Sequence, residues 1–201
     1  MTAAFAALYI ILVQVHYDLT YNRAIPDSER VYLMTLPSYG EDKLQAFLTR
    51  PHAEKLLTNN PYVEMYGVAR LDDVNKINVI VGEGTAAKTH SVTFAQMTSG
   101  ALKTFGIQPI MGSLEEMGEG GYVAISETAA ERLGVAVDSV LQLESWGRTN
   151  YFVVRAIYKD LPTASDLQNI EVIRCNQLET QDLHSANNWS YNYFVKLRSA
   201  D

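Results

Sequence analysis

The segment that most resembles a chemical motif is Gly82-Glu83-Gly84-Thr85-Ala86-Ala87-Lys88-Thr89. It is close to the G-x4-G-K-T loop, in which glycine backbone wraps a phosphate at the N-terminus of a helix. Ala87 stands where the second glycine is needed, and the following His90-Ser91-Val92-Thr93-Phe94 alternates polar and apolar residues as a strand does. The same residues fit G-x-G-x-x-A and fail the same test of context. A hairpin turn explains the segment, and nucleotide binding does not. The four histidines, His16, His52, His90 and His184, have no second ligand at metal-binding spacing, and Cys175 is the single cysteine. Arg174 beside Cys175 is a cation of the kind that lowers a thiol pKa, but no base can be assigned to it. Ser126 sits in Ile-Ser-Glu rather than in a G-x-S-x-G elbow, and a helix cap accounts for it. Asp72-Asp73 and Glu115-Glu116 are adjacent pairs whose side chains diverge in any regular element, so they read as solvated loops. Trp146 and Trp189 lie in turn-like sequence, as packing anchors or alternatively as ligand platforms. No residue is therefore assigned a catalytic, cofactor-binding or metal-binding role, and the chain reads as a protein without an enzyme's machinery.

The elements that would hold these residues are mostly strands. Arg30–Leu36 is rich in β-formers, and Pro37 closes it. Leu44, Phe47, Leu48, Leu56 and Leu57 have helical spacing, but Pro51 interrupts them and suits the first turn of a helix that Asn59-Asn60-Pro61 stops. Tyr62–Leu71 is extended, Lys76–Val81 is a strand, and Thr89–Phe94 returns as the second arm of a hairpin. Thr98-Ser99 caps a short helix over Gly100–Phe105 that Gly106 ends. Tyr122–Ile125 is a strand leading through Ser126 into a helix, Glu127–Leu133, that Gly134 stops. Val140–Glu144, Tyr151–Tyr158, Asn169–Arg174 and Tyr191–Arg198 complete the strands. In the last of these, Tyr193, Val195 and Leu197 fall on one face and Asn192, Lys196 and Arg198 on the other. The sum is an α+β fold with mixed sheets and short helices.

The 201 residues suffice for one larger domain or two small lobes. With 47% apolar and 19% charged residues the composition is that of a folded protein, and a net charge of −7 argues against nucleic acid as a partner. The N-terminus is exceptional. Ala3–Val13 is a run of eleven apolar residues without charge, Gly or Pro. At a helical rise of about 1.5 Å per residue it covers roughly 16 Å, about half a bilayer core. Three readings stand: a buried core helix, a secretory signal, or the outer end of a membrane-spanning helix. A signal lacks its basic start, since the first cation is Arg23. Tyr9, Tyr17 and Tyr21 are placed where an interfacial aromatic belt would be.

Seven segments, in order, carry a family resemblance: His16–Arg23, Ser28–Tyr32, Asn60–Glu64, Gly100–Ile107 with Met111-Gly112, Val123–Gly134, Phe152–Pro162 and Tyr193–Leu197. In these the chain resembles the extracytoplasmic core domain of MacB/FtsX-type ABC transporter permeases, in the form common in Bacteroides-like bacteria. Around Gly100-Ala101 it is plainer than the family, which often has Phe and Gly there. The resemblance implies a two-lobed domain between the first and second membrane helices. Residues 1–13 would be the outer end of a truncated membrane helix, and 14–70 plus 160–201 a membrane-proximal α/β lobe. Residues 71–159 would form an inserted, strand-rich lobe. It also implies a bacterial inner-membrane location facing the periplasm, with no cofactor in this domain because a separate cytoplasmic ATPase subunit binds ATP. Implied partners are the permease's own membrane helices, that ATPase, a second permease copy in a dimer, and a periplasmic adaptor or cargo. The role implied is coupling of membrane-helix motion to export or to a periplasmic partner. The alternative is a stand-alone periplasmic module binding a small peptide or lipid, which predicts an enclosed apolar pocket with a few converging polar groups.

Overall fold

The computed structural model describes residues 2–38, 43–82, 84–145 and 148–200 of the chain. Most of the loop expected at 38–42, and Glu83 and Trp146-Gly147 of the expected turns, lie outside the described residues. The elements in order are α1 (Thr2–Thr20), β1 (Val31–Leu33), β2 (Leu36–Pro37), β3 (Leu44–Gln45), α2 (Arg50–Leu57), β4 (Val63–Val81), β5 (Lys88–Met97) and α3 (Ser99–Thr104). They continue with β6 (Pro109–Gly112), β7 (Tyr122–Ser126), α4 (Glu127–Leu133), β8 (Val140–Ser145), β9 (Arg148–Tyr158), β10 (Val172–Arg174), α5 (Asn176–Thr180) and β11 (Asn192–Leu197).

Nine strands join in one sheet in the order β1-β11-β4-β5-β10-β7-β9-β6, and β8 pairs with both β4 and β9. That double pairing closes a circuit. Going round, β4, β5, β10, β7, β9 and β8 each bond to the next, and β8 returns to β4 through Asn78–Ile80. The inward positions of this small barrel are Val79, Val92, Val123, Ile125, Leu141, Leu143, Phe152, Val154 and Val172, and α4 adds Ala129, Ala130 and Leu133 to the same core. A second core lies on the outer face, where Ala69, Ala95, Met97, Ala124, Ala156, Tyr158 and Ile173 meet Ala101 and Leu102 of α3 and Phe105 just after it. A third joins α2 to β4 and β11 through Leu48, Ala53, Leu57, Val68, Tyr191, Tyr193 and Val195.

Local chemistry sets the short helices as the sequence predicts. The Thr98 hydroxyl accepts from Ala101 N to cap α3, Ser126 accepts from Ala129 N to cap α4, and Gly134 ends α4 at φ 66°. The hairpin over Gly82–Thr89 is also present, because β4 and β5 pair antiparallel from Val81↔Lys88 onward. Several expectations are corrected. The two segments Tyr62–Leu71 and Lys76–Val81 are one strand of 19 residues, β4, carried through its polar middle by a bulge between Arg70 and Asn75. Asp72-Asp73 thus belongs to a strand, exposed at that bulge. Leu44 and Leu48 are not helical: Leu44 pairs with Pro37, and Leu48 bridges to Tyr191. The polar side of β11 is solvated only at Arg198, beyond the strand's end. Asn192 and Lys196 are 8% and 7% exposed, because β11 is an interior strand between β1 and β4 with cover on both faces. The strand expected over Arg30–Leu36 is split into β1 and β2, with Pro37 inside β2 rather than closing the strand, and sequence periodicity did not mark β3, β6 or α5.

α1 runs well past Val13, and its large apolar side chains among the described residues face solvent. Phe5, Leu8, Tyr9, Ile10, Ile11, Leu12, Val13, Val15 and Leu19 are all exposed, Phe5 at 69% and Ile10 at 67%, which overturns the core-helix reading. Consecutive apolar positions from Leu8 to Val13 cover every side of a helix, so no polar face turns to water. No helix among the described residues is long and apolar enough to cross a membrane.

α3 lies against β4 at a backbone-to-backbone contact. A Cβ on Gly67 would strike the backbone of Ala101 and Gly100, and one on Gly100 would strike the Tyr66 carbonyl. Gly67→Ala is expected to destabilise the fold by about 2–3 kcal/mol through this overpacking. A shift in the urea midpoint at unchanged slope measures it. Gly84→Ala, where the added Cβ meets no atom but φ is +55°, should cost less.

Candidate functional site

The residues singled out by sequence do not converge. His16 is exposed on α1, His52 shares a 2.8 Å hydrogen bond with Thr49 Oγ1, His90 lies in β5 and His184 is exposed. Among the described residues, no group of three His, Cys, Asp or Glu side chains is placed to hold a metal. Cys175 is fully buried, and burial, then the nearby Glu179 carboxylate, pushes its thiol well above the ordinary value. The activation expected from Arg174 is absent, since that guanidinium lies over the Phe152 ring at 4.8 Å instead. Trp189 is half exposed, with its ring 6.2 Å from His52. Ser126 caps α4 and lines an open cleft of about 590 Å³. Three of the four charged groups in that cleft are already engaged: Arg132 pairs with Glu171 at 2.6 Å, and Thr128 donates to Asp160, while Lys76 is the fourth. The Thr128 hydroxyl, then the Thr128 backbone N–H and the Ser126 hydroxyl, holds the Asp160 carboxyl below its ordinary value.

What the fold does bring together is the beginning and the end of its own chain. α1 ends at Thr20, and Asn22 turns the chain at φ 62°. Asn22 and Asp166 then clasp each other. Asn22 Nδ2 donates to Asp166 Oδ2 at 2.8 Å, Asp166 N donates to Asn22 Oδ1 at 3.0 Å, and Asn22 N donates to the Ala164 carbonyl at 2.8 Å. Tyr21 Oη donates to the other Asp166 oxygen at 3.1 Å, and partial desolvation, then this carboxylate, raises the phenol's pKa. Three residues on, Ile25 is buried in the α3 core with Phe105 and Phe194, whose rings are 4.8 Å apart.

Arg30 completes the junction. Its guanidinium bonds Glu64 at 2.6 Å, Asp27 at 2.9 Å, and the carbonyls of Leu197 and Arg198 at 3.1 and 3.3 Å. Asp27 also receives the buried Lys196 ammonium at 2.6 Å. A single cluster therefore ties the segment leaving α1 to the start of β4 and to the last strand, β11. The Lys196 ammonium, then the Arg30 guanidinium, holds the Asp27 carboxyl below its ordinary value, and Glu64, more than Asp27, holds the Arg30 guanidinium above its own. A second buried cation was not legible as such. Arg50, 4% exposed, donates to the Leu178 carbonyl and to Glu54, which also accepts from Tyr193 Oη at 3.1 Å. Beside it, Tyr191 Oη donates to Asp182 at 2.6 Å, and burial with that carboxylate pushes the phenol up to about 12.

The depressed Asp27 value sets a pH dependence. Its ion pairs contribute fully above the unfolded carboxyl pKa of 3.8 and are lost as pH falls through the lower folded value. Asp27→Asn should therefore flatten the acid limb of the stability curve below about pH 4. Urea midpoints compared at neutral and acidic pH report it; an unchanged acid limb would refute the assignment. Asp166→Ala should speed amide exchange through the last turn of α1, with a global stability loss of about 1 kcal/mol or less. Native-state hydrogen exchange separates those two effects.

Neither a family profile nor a curated protein matches the sequence. Solved structures do match the fold. A domain of a protein described as a permease from Porphyromonas gingivalis superposes with a TM-score of 0.69 at 18% identity, covering 85% of this chain and 76% of that one. The periplasmic region of MacB from Actinobacillus actinomycetemcomitans gives 0.55 at 10% identity, over 83% and 73%. The extracellular domain of the noncanonic ABC-type transporter YknZ from Gram-positive bacteria gives 0.53 at 16% identity, over 84% and 83%. The fold is thus that of the periplasmic and extracellular domains of MacB-like transporters, the family that the sequence resembles.

Proposed function

We propose that this chain is a non-catalytic extracytoplasmic domain of an ABC transporter permease, coupling membrane-helix motion to cargo export or to a periplasmic partner. The observation that carries this reading is the junction. An apolar helix, exposed on every side, runs into a cluster that also grips the end of the last strand. A domain inserted between two membrane segments needs that geometry, with both chain ends at one place and each fixed to the core. Movement of α1 would then pass through the Asn22–Asp166 clasp, and movement after Arg198 through the Arg30 cluster. A bistable element biased from a distant site needs such rigid inputs rather than a reactive centre.

In this reading residues 14–70 and 160–201 form the membrane-proximal lobe and 71–159 the inserted one. The β4 bulge between Arg70 and Asn75 falls at that boundary. β10 crosses it, pairing Val172–Arg174 with β5 and β7. The lobes would therefore share a sheet and bend at the bulge rather than slide apart. ATP would be bound by a separate cytoplasmic subunit, the domain would face the periplasm, and the full permease would work as a dimer.

The flanking coding sequence is the first check: apolar segments long enough to span are expected before Ala3 and after Asp201. In the intact, membrane-reconstituted protein with its ATPase subunit, Asp27→Ala combined with Asp166→Ala should uncouple the two, lowering transport or partner activation severalfold while ATP hydrolysis continues. Undiminished coupling in a correctly inserted variant would sink the mechanism.

A further inference from the structure

The mouth of the barrel holds a second feature, separate from the junction and independent of the coupling role. Inward-facing positions alternate along each strand, and at one end of the barrel the apolar column gives way to polar residues. Past Phe94 on β5 comes Gln96; past Val172 on β10 comes Arg174; before Phe152 on β9 come Asn150 and Arg148. With Arg70 of β4 they line a cleft of about 600 Å³ whose floor is Ile77, Phe94, Leu143 and Phe152. The size suits a small ligand or a few residues of a peptide.

Three arginines line this cleft with one carboxylate, Asp73, which is occupied with Asn75; Arg70 also lies over the Tyr191 ring at 5.4 Å, within electrostatic reach of Asp182 outside the lining. Arg70 donates to Ser190 Oγ at 3.3 Å, and Arg174 to Gln177 Oε1 at 3.3 Å. None of the three makes an ion pair among the described residues, whereas Arg30, Arg50, Arg132 and Arg155 all do. In a chain of net charge −7 this is a local reversal of sign. Burial also lowers the Arg174 pKa, since no carboxylate offsets its desolvation. Two buried polar atoms in the cleft wall, Gln96 Oε1 and Arg174 Nε, have no partner. The cleft thus carries hydrogen-bonding capacity that the chain leaves unused.

We propose that this mouth binds the carboxylate of a peptide, with an adjacent apolar side chain resting on the barrel core. Guanidinium groups match a planar carboxylate in bidentate geometry, and the stack on Phe152 fixes the plane of Arg174. The unpartnered Gln96 oxygen favours a peptide over the phosphodiester of a lipid, because a peptide brings amide N–H donors and an ionised phosphodiester group brings none.

The test is a titration of the 201-residue chain followed by NMR of its arginine Nε–Hε signals. The probes are acetyl-Phe-Leu with a free carboxylate, the same dipeptide as its C-terminal amide, acetyl-Phe-Glu-amide, and hexyl phosphate. At least one carboxylate probe should bind about tenfold or more tightly than the amide and shift the Arg148 and Arg174 signals. The pair of carboxylate probes separates a chain terminus from an acidic side chain. Arg148→Gln, an exposed position, should weaken binding about tenfold at unchanged melting temperature; Arg174→Gln should do the same if it folds. Equal binding of acid and amide, tighter binding of hexyl phosphate, no signal shift at millimolar probe, or full affinity in Arg148→Gln would each overturn the proposal.

Discussion

The constraint on which the structure depends is the continuity of β4. Its first residues pair with β11 and its last with both β5 and β8, so one backbone serves the α2 core at one end and the barrel core at the other. Val68 faces the α2 cluster, its neighbour Ala69 the α3 cluster, and Val79 the barrel interior. The cores cannot move independently without breaking ladder hydrogen bonds or bending at the one place where the register already shifts. Gly67 and Gly100 lock α3 onto the same strand by removing the two side chains that would hold it away.

Electrostatics divides the molecule into filled and unfilled places. Lys196 and Arg50 are the cations most removed from water, and each has a carboxylate in reach. Breaking such a pair leaves an uncompensated charge, so it fixes which groups must be neighbours even where its net stabilisation is small. At the junction that specificity joins residues near the two ends of the chain. At the barrel mouth the opposite holds: Arg70, Arg148 and Arg174 gather with no ion pair among the described residues.

Legibility in the sequence followed the range of the interaction. α3 and α4 could be read from Thr98, Ser126, Gly106 and Gly134, because caps and left-handed stops act within one helical turn. The hairpin between β4 and β5 could be read because alternation resumes at once after the glycines, which also disposed of the phosphate-loop likeness. The unity of β4 was hidden by Asp72, Asp73 and Asn75, polar residues that break an apolar pattern but not a bulged ladder. The burial of Lys196 was hidden because alternation along β11 reports side-chain direction, while cover depends on β1, β4 and the residues before them. The junction could not be read at all: Lys196 and Asp27 are 169 positions apart, and no local pattern marks either as the other's partner. The apolar helix was plain from composition; that it stands clear of the core needed coordinates.

Closing the circuit through β8 has a further effect on how the surface behaves in company. The ends of the sheet path are short, β1 of three residues and β6 of four beginning with Pro109, while β5 meets β10 only at Phe94–Gln96 and over Lys88–Val92 is laddered, among the described residues, on its β4 side alone. Neither end offers a row of unpaired amides long enough to template another chain. Growth by strand addition at those two ends, a common route to β-rich aggregates, is therefore disfavoured in the folded state. The apolar helix is then the dominant source of stickiness in this protein, and stray self-association should follow its exposure rather than that of the sheet.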